Sequence, residues 1–487
     1  MALSDVIRLH ARTRPKRDAI LSGDRSITYA ALDRMVNGLC FRLTDAGIRR
    51  GDFAGVALGD NAEHMVTLLA MARVGAVTVP LDHRWSEAEK LSVASRFNAT
   101  RILVDPDAGV PHGAPWLHLP PEWMAETGDV YADPEVTYES PLLLSLSSGT
   151  TGTPKGPLAT HRQFENRFMT YWMNLGYNSY DRYVAAMPLY FGAGRGFTWS
   201  MLFAGATVSL FPPPYAPEAL IEHVGRVRGS AMFLVPTIMR RLMECKFDGL
   251  AFPTMKTLVA SGSALFAEER RAIKQRLTPN LYEMYASTEG GAVSVLGPDD
   301  SDLHPDSVGR PCFRVQLEIV DENHQPLPIG ETGRLRYRSP ASAQGYYQGD
   351  SAEAFRDGWY YPGDLAALNA DGFVFLKGRV KDMIIRGGVN IFPGDIEQVL
   401  MRTGRVREAA VVGMPSREFG EEVAAFVVAA QPVDETALIA ACRVELAAYK
   451  VPARIFFLDA LPKHSGGKVL KGELMKLLPD DSASKAS

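Results

Sequence analysis

The feature that most constrains the fold of this chain is its alternation of helix-like and strand-like segments. Leucine and valine recur at helical spacing between Thr28, a residue type that caps helices, and Gly47, a residue type that ends them. A second helical pattern ends at Gly75, and the run at residues 76–80 that follows it predicts a strand. Because alternating helices and strands pack as layers around a largely parallel sheet, the sequence predicts an α/β fold.

The pattern changes further along the chain, which divides it into predicted domains. Strand-like runs separated by helical segments continue through residue 284, whereas residues 307–339 alternate in a way typical of antiparallel strands. Beyond residue 378 a short mixture of strands and helices follows. We predict the following units: a large N-terminal domain of stacked strand–helix layers (1–378) with a small antiparallel β-subdomain (about 305–378), a small α+β C-terminal domain (379–476) and a disordered tail (477–487).

Composition and charge exclude several classes of protein. The chain has 487 residues, 46% of them hydrophobic and 22% charged, which is typical of a globular protein with more than one domain. Its net charge of -4 gives no overall field that attracts nucleic acid, so we expect no nucleic-acid partner. No apolar run is long enough for a membrane helix, and the N-terminus lacks the pattern of a signal peptide. We expect a cytoplasmic protein without a membrane span, as a monomer or homodimer.

The cysteines indicate neither a metal site nor a disulfide framework. They stand singly in the sequence, without Cys-x-x-Cys or Cys–His spacing, at Cys40, Cys245, Cys312 and Cys442. We expect buried or inert thiols in a reducing compartment.

One loop has a composition suited to phosphate. Residues 145–156 lie between an apolar run and a helix-like segment, and they combine glycines (149, 152 and 156), hydroxyl side chains and Lys155. Glycine lets the backbone approach an anion closely, while hydroxyls and an ammonium group donate hydrogen bonds to it. The usual nucleotide-loop pattern Gly-x-x-x-x-Gly-Lys-Ser/Thr is absent. The residues alone leave two interpretations open, a triphosphate-binding loop or a flexible linker.

Residues 147–155 (Ser-Ser-Gly-Thr-Thr-Gly-Thr-Pro-Lys) resemble the signature loop of the adenylate-forming enzymes, the superfamily of acyl-CoA synthetases, amino-acid adenylation domains and beetle luciferase. Further segments resemble this superfamily, in its own order, down almost the whole chain. The resemblance implies an enzyme that uses ATP, Mg2+ and, in many members, CoA. It also assigns Lys155 to catalysis. The loop residues that it places at ATP or AMP are Ser147, Ser148, Gly149, Thr150, Thr151, Gly152 and Lys155.

Residues 283–290 (Glu-Met-Tyr-Ala-Ser-Thr-Glu-Gly) resemble the superfamily motif Tyr-Gly-x-Thr-Glu. The resemblance implies that Tyr285 stacks on adenine, that Thr288 contacts the phosphates and that Glu289 holds Mg2+. A flat ring suits a purine, and a carboxylate suits a hard cation. The same match assigns four further residues to the nucleotide site: Glu283, Met284, Ala286 and Ser287. Ala286 replaces the usual glycine of the motif.

Two further segments supply a ribose site by resemblance. Residues 358–365 resemble Gly-Trp-Phe-x-Thr-Gly-Asp, which implies that Asp364 accepts hydrogen bonds from both ribose hydroxyls. Residues 377–393 resemble the hinge segment of the superfamily, in which Arg379 also touches ribose.

The C-terminal part supplies a hinge, a CoA channel and a catalytic lysine by the same resemblance. Lys381 matches the residue about which the small, mobile domain rotates, and Gly387 and Gly388 match the loop that lines the pantetheine channel. Residues 461–471 resemble Pro-x-Thr-x-x-Gly-Lys-Ile-x-Arg, which implies that Lys468 reaches the acyl carboxylate and the phosphate during adenylation. A cation where negative charge converges stabilises the transition state.

The acyl pocket is assigned from two more segments. Residues 188–197 resemble a pocket wall that often contains histidine, where this chain has Phe191, and residues 259–265 resemble the turn Ser-Gly-Gly-Ala-Pro. Arg195 has two open interpretations: a solvated or internally paired arginine, or the partner of a second carboxylate on a diacid. The residues assigned from these segments are Tyr190, Phe191, Gly192, Arg195 and Gly262 in the acyl pocket, and Ser263 and Ala264 beside the nucleotide.

Together these matches predict an ATP-dependent acid–CoA ligase. A carboxylate attacks MgATP to give acyl-AMP and pyrophosphate, and CoA then gives the thioester and AMP. The aromatic residues near position 191 favour an aromatic or short-to-medium aliphatic monocarboxylate, with a dicarboxylate held by Arg195 as the alternative. Two other functions stay open: an adenylation enzyme that loads a separate carrier protein, and a nucleotide-binding relative without turnover. The departures from the superfamily pattern keep the last one open: Phe191, Ser263, Ala286, Pro362 and His464.

Overall fold

The first part of the chain folds into the predicted alternation of helices and strands. A computed structural model describes residues 3–146, 155–463 and 469–479. The elements up to residue 146 are α1 (Asp5–Thr13), β1 (Asp18–Ser22), β2 (Arg25–Thr28), α2 (Tyr29–Asp45), β3 (Phe53–Ala57), α3 (Ala62–Val74), β4 (Val77–Pro80), α4 (Glu87–Arg96), β5 (Ala99–Val104), β6 (Trp116–His118) and β7 (Pro141–Leu144). The side chain of Thr28 accepts a hydrogen bond from the backbone of Ala31, and Gly75 ends α3 in the left-handed conformation. Both predicted helix ends are therefore confirmed.

The same alternation continues after residue 155. Its elements are β8 (Leu158–Thr160), α5 (His161–Leu175), β9 (Arg182–Ala185), α6 (Gly192–Ala204), β10 (Thr207–Leu210), α7 (Pro217–Val227), β11 (Ala231–Leu234), α8 (Pro236–Glu244), β12 (Thr257–Ala260), α9 (Ala267–Arg276), β13 (Leu281–Ser287) and β14 (Gly291–Leu296).

The last part of the chain is richer in antiparallel strands. It contains β15 (Arg310–Pro311), β16 (Gln316–Val320), β17 (Gly333–Arg338), β18 (Phe355–Arg356), β19 (Trp359–Tyr360), β20 (Asp364–Leu368), β21 (Val374–Arg379), β22 (Ile384–Arg386), β23 (Val389–Ile391), α10 (Pro393–Arg402), β24 (Val406–Ser416), β25 (Gly420–Ala429), α11 (Glu435–Glu445), β26 (Arg454–Phe457) and α12 (Lys471–Met475). The predicted boundary at residues 378 and 379 stays a prediction, and most of the predicted disordered tail lies outside the described residues.

Two larger sheets form the body of the molecule. Within the described residues, one has the strand order β15-β14-β13-β12-β11-β9-β10-β1-β2 and the other the order β6-β5-β3-β4-β7-β8. Neighbouring strands are parallel from β1 through β10, β9, β11 and β12 to β13, and from β6 through β5, β3 and β4 to β7. Residues of α2, α3, α5 and α6 share one hydrophobic core with strands of both sheets. The predicted α/β fold of stacked layers is confirmed.

Two smaller sheets follow. Strands β18-β19-β17-β20-β21, with β16 beside β17, form an antiparallel sheet, and β23-β22-β25-β24, with β26 beside β25, form the last one within the described residues. The predicted antiparallel subdomain and α+β segment are therefore present. The four cysteines are buried free thiols. No helix in the described part of the chain is long and apolar enough to cross a membrane.

Candidate active site

The segments assigned to the site follow parallel strands of the two larger sheets. The acyl-pocket segment at residues 188–192 follows β9, the turn at residues 262–264 follows β12, and the signature loop follows β7. Ligand sites of open α/β sheets lie beyond the carboxyl ends of such strands, where loops from neighbouring strands meet. Residues 147–154 and 464–468, which include six predicted nucleotide residues and Lys468, lie outside the described residues.

The structure brings three predicted nucleotide residues together from distant parts of the sequence. The Tyr285 hydroxyl donates a hydrogen bond to Asp364 Oδ2 at 2.5 Å, and Arg379 Nε donates to Asp364 Oδ1 at 2.9 Å. Asp364 and Arg379 are direct partners on the antiparallel strands β20 and β21, while Tyr285 lies on β13. The cluster places an aromatic ring, a carboxylate and a guanidinium side by side.

Electrostatics keep Tyr285 neutral and Arg379 charged. Burial, with the negative charge of Asp364, raises the pKa of Tyr285 well above its ordinary value, so the phenol stays a neutral donor. Burial lowers the pKa of Arg379, but Asp364, Tyr285 and Asp382 together raise it, and the net shift is upward. Because a carboxylate has several lone pairs, Asp364 can accept ribose hydroxyls in addition to its two protein donors.

A second cluster surrounds Glu289, the predicted magnesium ligand. Glu289 is 6% exposed, and its Oε1 accepts a hydrogen bond from the Tyr346 hydroxyl at 3.1 Å. Lys155 Nζ lies 4.9 Å from the centroid of the Tyr346 ring, within range of a cation–π contact. Tyr346 thus connects the end of the signature loop to the predicted metal ligand.

The donor set at Glu289 fits Mg2+ bound together with a nucleotide. No group of three or more histidine, cysteine, aspartate or glutamate residues that could hold a metal occurs in the described ranges. Mg2+ is usually held by one or two carboxylates and by substrate phosphates, not by a cage made of protein alone. A single buried carboxylate next to a predicted phosphate loop is the arrangement that such a site needs.

The backbone of Glu289 is fixed by a residue that the sequence analysis missed. Arg167, on α5 and 7% exposed, donates from Nη2 to the Glu289 carbonyl at 2.9 Å and from Nε to the Ala341 carbonyl at 3.1 Å. The amide of Ala343 donates to the same Glu289 carbonyl at 2.8 Å. The signal for Arg167 was present, because it stands on a helix face with Phe164 and Phe168, and a charged residue on an apolar face needs a buried partner.

Packing or backbone conformation requires glycine at several positions near the predicted site. A Cβ atom at Gly156 would lie 2.7 Å from Leu144 Cδ2 and 2.8 Å from Phe97 Cε1, so packing requires glycine there. At Gly194 a Cβ atom would lie 2.2 Å from the Pro188 carbonyl oxygen. Gly262 has φ +101°, a conformation that favours glycine.

The other predicted nucleotide residues lie in or beside the core. The carboxylate of Glu283 is buried and pairs with Arg270 at 2.6 Å. Met284 is 4% exposed and belongs to the hydrophobic core. Ala286 is not among the described residues with positive φ, so its methyl group in place of glycine causes no backbone strain.

A short network holds the turn around Thr288. The Ser287 side-chain oxygen lies 2.5 Å from the Tyr337 hydroxyl and accepts a hydrogen bond from the Gly290 amide at 2.9 Å. Thr288, which is partly exposed, lies between these anchored residues. The network fixes the turn that presents Thr288 and Glu289.

The segments assigned to the acyl pocket and to the adjoining nucleotide position have two polar features. The Ser263 Oγ atom is buried and has no hydrogen-bond partner among the described residues, while Ala264 beside it is exposed. The Tyr190 hydroxyl accepts a hydrogen bond from Arg84 Nη2 at 2.9 Å. Phe191 packs against the core, and a Cβ atom at Gly192 would meet open space.

The predicted hinge and CoA channel follow the nucleotide cluster directly. Lys381 lies in the short 3-10 turn Val380–Asp382 and is exposed. Gly387 (φ +56°) and Gly388 (φ +81°) form the turn between β22 and β23, and a Cβ atom at Gly388 would meet nothing within 4 Å. Backbone conformation therefore accounts for both glycines in this structure.

Comparisons with known proteins find two family models along this chain. The family model described as AMP-binding enzyme matches residues 7–347, and the model described as AMP-binding enzyme C-terminal domain matches residues 395–468. A feruloyl-CoA synthase of Amycolatopsis sp is 31% identical over 480 residues, which covers 96% of this chain and 97% of that protein. A 2-succinylbenzoate–CoA ligase of Bacillus mycoides is 29% identical over 470 residues, covering 96% of this chain and 97% of the relative.

A solved structure extends the likeness to the whole fold. The o-succinylbenzoate CoA synthetase of Bacillus subtilis, in complex with its acyl-adenylate intermediate, has a TM-score of 0.85 and 26% sequence identity, and the match covers 96% of this chain and 97% of that one. The same enzyme in complex with ATP and magnesium ion matches with a TM-score of 0.84 and 26% identity, over 96% of this chain and 98% of that one.

Proposed function

Because this chain belongs to the AMP-binding enzyme family, we propose that it is an ATP-dependent acid–CoA ligase that forms acyl-CoA through an acyl-adenylate. The observation that carries the proposal is the cluster of Tyr285, Asp364 and Arg379, with the Glu289–Tyr346–Lys155 contacts as a second group of predicted residues. The names of the curated relatives support an acid–CoA ligase over the other members of the superfamily.

The adenylation step uses the two clusters in different ways. Tyr285, Asp364 and Arg379 bind adenosine, while Lys155 and Thr288 contact the phosphates. Glu289 holds Mg2+, which neutralises phosphate charge when it is bound. Lys468 completes the site by placing an ammonium group where the acyl carboxylate meets the α-phosphate, so that both reactants are oriented and the developing charge is stabilised.

The thioester step requires the C-terminal part to move about Lys381. Charged contacts join this part to the preceding sheet: Lys377 Nζ lies 3.3 Å from Asp395 Oδ1 at the start of α10, and Arg402 Nη1 lies 3.9 Å from Asp306 Oδ2. These pairs are partly exposed, and exposed ion pairs are weak, so they do not prevent rotation. Rotation presents Gly387 and Gly388 to the pantetheine arm of CoA.

The setting of the reaction follows from the same proposal. A ligase that consumes ATP and CoA works in the cytoplasm, as a monomer or homodimer, on small-molecule acids. The names feruloyl-CoA synthase and 2-succinylbenzoate–CoA ligase support acids of the aromatic class predicted from the sequence.

The direct test is pyrophosphate release from MgATP across a panel of carboxylic acids, each with and without CoA, with AMP and thioester quantified. We expect thioester and AMP in equal amounts with a preferred acid. Lys468→Ala should abolish adenylation yet still convert synthetic acyl-AMP to thioester, whereas Lys476→Ala, at an exposed position, should retain both steps. Adenylate without thioester would indicate a carrier-loading enzyme, and no release with any acid would contradict the proposal.

A further inference from the structure

The segment assigned to the acyl pocket contains an arginine whose buried charge has no acidic partner in the described part of the chain. Arg195 lies in the first turns of α6 and is 2% exposed. Its Nη1 atom donates to the carbonyl oxygens of Leu189, at 3.1 Å, and Tyr190, at 2.9 Å. Side chains of a helix point back towards its N-terminus, so the guanidinium lies against the segment that is assigned to the pocket wall.

One edge of the guanidinium is left unused. The Nε atom is buried and has no hydrogen-bond partner among the residues that the structure describes. Within the described ranges, the only hydrogen bonds of the side chain come from Nη1. Nε and Nη2 form one edge of the planar guanidinium group, and the parallel N–H groups of such an edge bind both oxygens of a carboxylate. The free edge therefore has the geometry of a carboxylate site.

Two of the other buried arginines have the acidic partner that Arg195 lacks, whereas Arg167 is held, like Arg195, by backbone carbonyls. Arg73, which is 2% exposed, pairs with Asp33 at 2.7 Å, and Arg270, which is 5% exposed, pairs with Glu283 at 2.6 Å. Arg195 makes no ion pair with any acid in the described part of the chain. A buried charge without a partner is destabilising, so proteins retain one where a ligand completes it or where it acts through its hydrogen bonds.

The charge of Arg195 persists at neutral pH. Burial, with the positive charge of Arg167, lowers the pKa of Arg195 to about 10, and no acid raises it. His64 is close enough for its own pKa to respond to Arg195, but burial lowers the pKa of His64 to about 3. The histidine is therefore neutral and adds no second positive charge beside Arg195.

The start of α6 also leaves room for a ligand. A Cβ atom at Gly192 would meet no atom within 4 Å, and at Gly196 it would meet only the Tyr171 hydroxyl, at 3.8 Å. Gly194, by contrast, is packed against the Pro188 carbonyl. Packing thus fixes the start of α6 at Gly194, and space remains beside Gly192 and Gly196.

We propose that Arg195 binds an anionic group at the far end of the acyl substrate, so that the preferred acid carries a second carboxylate besides the one that is activated. The proposal rests on the ligase function proposed above and names the substrate class of the same site. The second carboxylate accepts hydrogen bonds from Nε and Nη2 and supplies the missing negative charge. The inference favours the dicarboxylate alternative over a monocarboxylate.

The test compares dicarboxylic acids of increasing length, aromatic and aliphatic, with their monomethyl esters. Each pair has the same reacting carboxylate and nearly the same size, and differs in the charge at the far end. We expect kcat/KM for the best diacid to exceed that for its ester by about 100-fold, since truncating one partner of a buried charge pair has effects of this order. Arg195→Gln should reduce this ratio to near one, chiefly by raising KM for the diacid, and Arg195→Lys should retain part of it.

A matched control separates recognition from a structural effect. Arg14 Nη1 donates to the carbonyl of Gly205 at 3.3 Å, at the other end of α6, so Arg14→Gln also removes an arginine that contacts this helix. It should leave the diacid-to-ester ratio unchanged. If Arg195 only shaped the helix start, Arg195→Gln would lower activity with both members of a pair equally, and the proposal would be wrong.

The wild-type comparison decides the question even if Arg195→Gln does not fold. A wild type that uses the best diacid and its ester equally well overturns the role of Arg195 and leaves the ligase function standing. If the wild-type protein releases no pyrophosphate with any acid tested, both the role of Arg195 and the ligase function are wrong.

Discussion

The contact between Tyr346 and Glu289 gives the sharpest prediction about the nucleotide site. Tyr346→Phe removes the hydroxyl that lies 3.1 Å from Glu289 Oε1 and keeps the ring, 4.9 Å from Lys155 Nζ. Burial, with the charge of Glu289, raises the pKa of Tyr346, so the hydroxyl donates at every physiological pH. The substitution therefore removes the hydroxyl's hydrogen bond to a buried carboxylate and its contact with the Tyr360 hydroxyl, and it keeps the ring in place.

The expected magnitude follows from the charge of the acceptor. A hydrogen bond to a charged group contributes about 1.5–3 kcal/mol, which corresponds to about a 10-fold to 150-fold change in an equilibrium or rate constant. We expect kcat/KM for MgATP to fall by about this factor and the Mg2+ concentration for half-maximal activity to rise. Tyr346→Leu, which also removes the ring, should lose a further factor because the contact with Lys155 is worth about 0.5–2 kcal/mol.

The assay is pyrophosphate release at saturating acid, with MgATP and free Mg2+ varied independently. Tyr347→Phe is the matched control, because the neighbouring ring stacks on Phe53 with centroids 4.6 Å apart and its hydroxyl lies 3.4 Å from the exposed Gln348 amide. It should change activity by less than about 2-fold. Equal effects of the two substitutions, or an unchanged Mg2+ dependence in Tyr346→Phe, would refute a role of Tyr346 in orienting Glu289.

Three further predictions concern the ribose cluster, the packing of the site and its response to acid. Asp364→Asn should raise KM for ATP by about 10-fold to 100-fold, because a charged acceptor is lost; ATP titrations measure this. Gly290→Ala should lower the free energy of unfolding by about 1–3 kcal/mol in denaturant titrations, because its Cβ atom would lie 2.2 Å from the buried Tyr337 hydroxyl. Burial lowers the pKa of His64 from 6.5 to about 3, so between these values the unfolded chain binds the proton and stability falls as pH falls. His64→Asn should remove this contribution to the pH dependence of the free energy of unfolding, which is up to about 1.4 kcal/mol per pH unit. Denaturant unfolding between neutral pH and about pH 5 measures it.

Matched variants test each of these three. Asp371→Asn changes an exposed turn and should leave KM for ATP unchanged. Gly297→Ala meets its nearest atom at an ordinary 3.9 Å and should be close to neutral in stability. His112→Asn is exposed and should keep the wild-type pH slope. Any pair with indistinguishable results contradicts the corresponding prediction.

Local pattern was sufficient for the elements but not for the contacts between them. Thr28 and Gly75 could be recognised as helix ends because capping and left-handed glycine depend on neighbouring residues alone. The same local pattern could not show whether Glu283 binds a ligand or has a structural role. Its pairing with Arg270 depends on α9 packing beside β13, which periodicity does not specify.

The periods of helices and strands were sufficient to predict the layered α/β fold, and motif resemblance predicted the residues of the nucleotide site, because both can be recognised along the chain. The tertiary structure was needed to show that Tyr285, Asp364 and Arg379 meet, that Tyr346 links Lys155 to Glu289, and that Arg195 pairs with no acid among the described residues. The physical reason is that these groups belong to different strands and loops, which sheet pairing and burial bring together.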